Sequence, residues 1–258
     1  MKPRPSAVLA PMALFLAAFF YAPFIVLAYQ SLQTPGGRGV TLENYLTVFR
    51  DPAYFKVVLS SLAIAGETTL ATLALALPAA YYIARMSGPR EGPILLALLL
   101  TPFWVDVLLR SFALKSIIYT LGMREGYAAM MVGMVYEYLP IMFLPIYASM
   151  LRIPESAVAA ARVLGATPRD VTLRVVLPLT LPGIVAGSAL VLLMSMTEFV
   201  VPALLGGTKG FTVGSLIYYL FLSGGLWGVG AALAVLLTAA LTVAAFLLAR
   251  RAGGELAW

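Results

Sequence analysis

The chain is cut by short polar segments into six long apolar stretches, and this alternation limits its possible folds more than any other property. The first stretch, Ala7–Tyr29, runs for 23 residues without a charge. An α-helix needs about 20 apolar residues to cross the hydrocarbon of a bilayer. The other stretches are Val57–Ala84, Pro93–Leu109, Ala128–Leu151, Leu181–Leu205 and Val229–Ala249. Barrel strands would be about 10 residues long with alternating polarity, so these segments are too long and too uniformly apolar for that. Composition agrees, with 62% hydrophobic and 11% charged residues, where a soluble domain carries ~25% charged. The expectation is an all-α integral membrane protein of six transmembrane helices. No low-complexity linker divides it, so residues 1–258 read as one domain. Lys2 and Arg4 precede the first stretch as they would a signal peptide. Its apolar core is too long for one, and no small-residue cleavage site closes it, so it is read as a retained span.

The absence of cysteine and histidine excludes disulfides, thiolate nucleophiles and the usual zinc sites. No metal site is expected. The net charge of +6 comes from residues in short loops, where they anchor spans at lipid headgroups; nucleic acid is not an expected partner. Six spans place both termini on one side. With the termini inside, the inner segments hold 10 of the 17 lysines and arginines and the outer segments 7. The inner segments are also shorter in total, so both termini are expected in the cytoplasm. Outside, Thr34–Gly39 reads as a turn cluster. Thr41–Phe49 follows as a short amphipathic helix on the membrane surface.

Residues 152–178 form a polar loop with four arginines between the fourth and fifth spans. Pro154 suits a first helical turn, where its missing N–H costs nothing. Glu155 sits favourably at the positive end of the helix dipole. Ala157–Ala161 continue the helix, and Gly165 is placed to end it in a left-handed turn. Thr167-Pro168-Arg169-Asp170 then reads as a new N-cap, and its helix is expected to yield at Pro178. On the residues alone, a docking face for another protein and a plain connector between spans are equally open.

The loop resembles the EAA loop of binding-protein-dependent ABC importer permeases. The match falls on Ala159-Ala160-Ala161, Gly165 and Val175-Val176-Leu177-Pro178. Ala160, Ala161, Arg162, Gly165, Leu177 and Pro178 agree with the family pattern. The glutamate is replaced by Ala159, with Glu155 one helical turn earlier. Further segments are similar to spermidine/putrescine importer permeases, the B-type subunit in particular. They are Pro102-Phe103-Trp104, Leu109–Lys115, Val135–Pro140 and Thr197–Gly207. Asp106 and Glu137 stand where that subunit would have asparagine, and Ala203 where it would have aspartate.

The resemblance implies a type I importer transmembrane domain in the bacterial cytoplasmic (inner) membrane, with a cytoplasmic coupling helix. It implies that Glu155, Ala159, Ala160, Ala161, Arg162, Gly165, Ala166, Pro168 and Arg169 couple to the ATPase. The implied partners are a second permease subunit in a heterodimer, two cytoplasmic ATPase subunits and an extracytoplasmic solute-binding protein. ATP and magnesium would be bound by the ATPase, and no cofactor by this chain. The implied solute is a polyamine, with another small solute as the alternative.

Four acids fall inside or at the edge of spans: Glu67, Asp106, Glu137 and Glu198. A carboxylate in a span costs at least ~2.5 kcal/mol unless it faces a cavity or a partner. At 1.5 Å per residue all four lie in the outer half, roughly 5 to 15 Å deep. No basic residue stands at matching depth in any span as drawn. Trp104, Asp106, Tyr136, Glu137, Tyr138 and Glu198 are therefore the expected solute path, the aromatics offering cation–π contacts to an ammonium group. Capping a helix, pairing across a subunit interface and simple protonation are open alternatives for each acid. Pro140, Pro145, Pro182 and Pro202 interrupt the fourth and fifth spans, as tolerated along a cavity. Gly183 and Gly187 form a small-xxx-small pair suited to close helix packing.

Gly206-Gly-Thr-Lys-Gly210 lacks the spacing of a phosphate-binding loop, so ATP belongs to another protein. A proton-coupled secondary transporter would use the same acids. Its paired broken helices in an internal repeat are not found in the sequence. A membrane scaffold without transport would not gather its acids in one half.

Overall fold

The computed structural model describes residues 5–34, 39–207 and 210–255. Part of the expected turn cluster 34–39, the glycine-lysine segment 206–210 at positions 208 and 209, and the terminal Lys2 and Arg4 lie outside the described residues. Among the described residues the chain is helical throughout, with a single isolated bridge between Gln33 and Val40.

The helices are α1 (Pro11–Ser31), α2 (Glu43–Arg50), α3 (Pro52–Met86), α4 (Glu91–Trp104), α5 (Val107–Thr120), α6 (Tyr127–Leu151), α7 (Glu155–Val163), α8 (Pro168–Met196), α9 (Val200–Leu205), α10 (Val213–Leu222) and α11 (Trp227–Glu255). Five are long and apolar enough to cross a membrane: α1, α3, α6, α8 and α11. The bent pair α4 and α5 makes a sixth if it is counted as one span.

Two of the expected spans are corrected. The third, 93–109, is not one helix. α4 tightens into a 3-10 turn at Thr101–Trp104, and the chain turns by 102° before α5 begins. Pro102 weakens the helix there, and Val105 is extended. Asp106 then caps α5 by accepting from the Leu108 N–H at 2.9 Å. The fifth span, 181–205, ends early at Met196, and Glu198 lies in the break before the short α9.

The helix expected to yield at Pro178 instead runs on. A π-helical stretch, Val171–Val176, leads into Leu177–Met196. Proline lacks an N–H and collides with the carbonyl four residues back, and a local π adjustment relieves both faults. The π-helical Ala17–Tyr21 in α1 likewise precedes Pro23.

The chain forms two compact units. Residues 1–56 and 216–242 make the smaller. In it, the expected surface helix is found as the amphipathic α2. The buried Asn44 ties it to the end of α1 through Nδ2, which donates to the Ser31 and Gln33 carbonyls at 2.9 and 2.8 Å. A Cβ at Gly228 would lie 2.6 Å from that amide, so the second residue of α11 is glycine where it meets α2.

Residues 57–215 and 243–258 make the larger unit. Its centre is α6, whose Met130, Met134, Met142, Phe143, Ile146 and Met150 are all fully buried. α8 packs directly against α6. A Cβ at Gly187 would sit 2.9 Å from the Met142 carbonyl, and one at Gly183 would collide with the Pro145 carbonyl. The small-xxx-small pair is thus the α6–α8 contact.

Candidate functional site

Where α4 bends into α5, the chain opens a cavity of about 510 Å³ against α6 and the end of α8. Its lining includes Phe103, Trp104, Asp106, Arg110, Glu137, Tyr138 and Glu198. Five of the six residues expected along the solute path therefore share one cavity. The sixth, Tyr136, is not among the lining residues and is exposed. Glu67 is also elsewhere, accepting a hydrogen bond from the Tyr127 hydroxyl at 2.5 Å.

The expectation that no basic residue matches the acids in depth is overturned. Arg110 donates through Nη2 to Glu137 Oε1 at 2.6 Å, and both residues are more than nine-tenths buried. The error traces to the third span. With 93–109 drawn as one helix, Arg110 fell in an outer loop; the bend at Asp106 turns it back beneath the cavity. The guanidinium also lies 5.6 Å from the centre of the Phe103 ring, within cation–π range. Its Nε and Nη1 are buried and have no hydrogen-bond partner among the described residues.

Glu198 holds the break after α8. Its Oε1 accepts from the Val200 N–H at 2.7 Å and its Oε2 from the Tyr138 hydroxyl at 2.9 Å. Asp106 thus caps α5 and Glu198 accepts from the first N–H of α9, and both still line the cavity. Three carboxylates against one guanidinium leave a formal excess of two negative charges along its wall. Such a surface suits a cationic solute, and the exposed face of Trp104 adds an aromatic platform at the rim. Among the described residues no acids cluster as a metal site.

The second candidate region is the polar loop. α7 ends in a Schellman motif: the Ala166 N–H donates to the Ala161 carbonyl and the Gly165 N–H to the Arg162 carbonyl, both at 3.0 Å. Gly165 has φ of +85°, the left-handed conformation read from its position. Thr167 and Asp170 form a full capping box for α8, with Pro168 and Arg169 in its first turn.

Ile153, Val171 and Val176 make a small core, on which Ala161 and Ala166 pack. The alanine face is therefore split. Ala159 and Ala160 are exposed with Glu155, Arg162, Gly165, Pro168 and Arg169, while Ala161 turns inward. Sequence reasoning passed over Val163 and Leu164, each 87% exposed at the corner. It also passed over Arg85, whose Nη2 donates to the Met150 and Ile153 carbonyls at 2.9 and 2.8 Å. From the same helix end, the Tyr81 hydroxyl lies 2.9 Å from that of Thr172. The loop end of α3 thus holds the loop where it leaves α6 and where it joins α8.

One helical unit thus holds a cavity at a bent helix and a capped polar loop, and the relatives show the class to be a transport permease. The chain belongs to the binding-protein-dependent transport system inner membrane components, matching that family over residues 76–253. It is 38% identical to the spermidine/putrescine transport system permease protein PotB of Escherichia coli K12, covering 77% of this chain and 78% of that protein. PotB of Haemophilus influenzae is 36% identical, covering 80% and 78%. The fold is that of an ABC-importer transmembrane domain. It superposes on a chain of a bacterial alginate ABC transporter with a TM-score of 0.77 at 16% identity, covering 95% of this chain and 93% of that one. The protein is thus a multi-pass inner-membrane transport component rather than an enzyme, and works with a solute-binding protein and an ATPase.

Proposed function

We propose that this chain is a permease subunit that carries a polyamine, such as spermidine or putrescine, from an extracytoplasmic binding protein into the cytoplasm. The observation that carries this reading is the cavity: Asp106, Glu137 and Glu198 line it together with Phe103, Trp104 and Tyr138. Carboxylates beside aromatic faces are the chemistry that recognises protonated amines. The PotB relatives support the same class of solute.

Transport is driven by two ATPase subunits, which bind ATP and magnesium. They dock on the exposed side of the polar loop, at Glu155, Ala159, Ala160, Arg162, Gly165, Pro168 and Arg169, with Val163 and Leu164 as apolar anchors. Ala161 and Ala166 act from beneath by fixing the shape of that surface. Glu155 and Ala159 share one helix face at i,i+4, so Glu155 supplies the charge that Ala159 lacks. One such loop per chain and two ATPases call for a second permease subunit, here a related partner in a heterodimer. The excess of arginine and lysine on the loop side supports cytoplasmic termini.

The test is uptake of labelled spermidine into proteoliposomes holding the whole complex. Uptake that needs both ATP and the binding protein is expected. Uptake driven by a proton gradient without ATP would overturn the reading.

A further inference from the structure

The Arg110–Glu137 pair has more to explain than a buried ion pair usually does. A guanidinium carries five N–H donors. Among the described residues this one makes a single hydrogen bond, to a carboxylate that lines the cavity, and leaves Nε and Nη1 buried without a partner. A structural arginine is normally forked onto a carboxylate or onto several carbonyls. Arg110 instead rests between one carboxylate oxygen and the Phe103 ring, 5.6 Å from its centre. A carboxylate and an aromatic face are also the partners that would receive an alkylammonium ion.

We propose that Arg110 is a tethered stand-in for the cationic solute. It occupies Glu137 and gives way when a polyamine enters. This rests on the polyamine reading above. In the exchange one solute ammonium replaces the guanidinium at Glu137 Oε1. The bend of 102° between α4 and α5 places Arg110 in the second turn of α5, close to the extended Val105 and the capping Asp106.

The device sets selectivity by charge number. A monoamine offers one ammonium and must displace an equal charge for no net gain. A second ammonium finds Glu198 or Asp106 on the same wall. Arg110 thus rejects singly charged solutes and admits those with two or more charges.

A stabilising pair and an exchangeable one give opposite signs. The assembled complex in nanodiscs is titrated with spermidine and with the monoamine propylamine. In Arg110→Gln, spermidine is expected to bind roughly threefold to tenfold tighter than in wild type, because its competitor is gone. The preference for spermidine over propylamine should shrink by a similar factor. Weaker spermidine binding by Arg110→Gln, with wild-type uptake intact, would overturn the exchange and leave the polyamine reading standing.

Arg110→Ala with added guanidinium ion gives a second readout. Guanidinium should raise the melting temperature of this variant and compete with spermidine for it. Thermal rescue without competition would overturn the proposal. Absence of ATP-dependent spermidine uptake by the wild-type complex would overturn both the polyamine reading and the exchange.

Discussion

The two polar regions of the larger unit are built on opposite plans. In the loop, each turn is closed by neighbours in sequence: the Schellman motif spans six residues and the capping box four. In the cavity, the decisive contacts join residues 27 and 60 positions apart, Arg110 to Glu137 and Tyr138 to Glu198. The loop's corner is closed by backbone hydrogen bonds, whereas the cavity holds a guanidinium whose Nε and Nη1 are buried without a partner among the described residues. A surface that must dock repeatedly in one shape gains from local closure. A wall that must bind and release gains from contacts that leave something unsatisfied.

Substitutions can break or sharpen this contrast. The largest effect is expected from Glu137→Ala, which strands the buried Arg110 charge and should destabilise the permease by about 3–5 kcal/mol. Thermal denaturation of the purified complex reads this, and Arg110→Met added to the same chain should restore most of the loss.

Gly165→Pro comes next. Proline fits neither the φ of +85° nor the N–H bond to Arg162. A local cost of about 3 kcal/mol is expected, seen as loss of ATPase co-purification with the spans still folded. A bulky residue at Ala161 should act in the same way but indirectly, by forcing apart the small core at Ile153, Val171 and Val176.

Thr167→Ala removes the cap of α8 and should cost ~1 kcal/mol, measured as faster amide exchange at Arg169 and Asp170. Leu164→Ser should change stability by no more than about 0.5 kcal/mol. It should nevertheless weaken ATPase docking measurably, since Leu164 is 87% exposed. If docking is unaffected, the corner is not part of the contact surface.

These plans also explain what could be read before the structure was known. The helices of the loop, its glycine corner and its capping box follow from residue types within a few positions, so they were legible. So were the spans α1, α3, α6 and α11, because a long apolar run has few alternatives. The bend was not: Pro102 and Asp106 sit inside an apolar stretch that hydropathy alone averages into one span. Missing the bend misplaced Arg110, and with it the counter-charge of the whole cavity. An aspartate followed by an apolar helix with an arginine four residues on was the available signal, that of an N-cap. The run of α8 through Pro178 was illegible for another reason, since a π-helical turn has no sequence signature as sharp as the proline it accommodates.

α3 spans Pro52–Met86, and as a helix of 35 residues it is about 50 Å long at 1.5 Å rise per residue. Arg85 and Tyr81 fasten its end to both feet of the loop. α3 is therefore a lever with its load at one tip. A tilt of this helix would carry both feet of the loop with it, and so the corner proposed above as the docking surface.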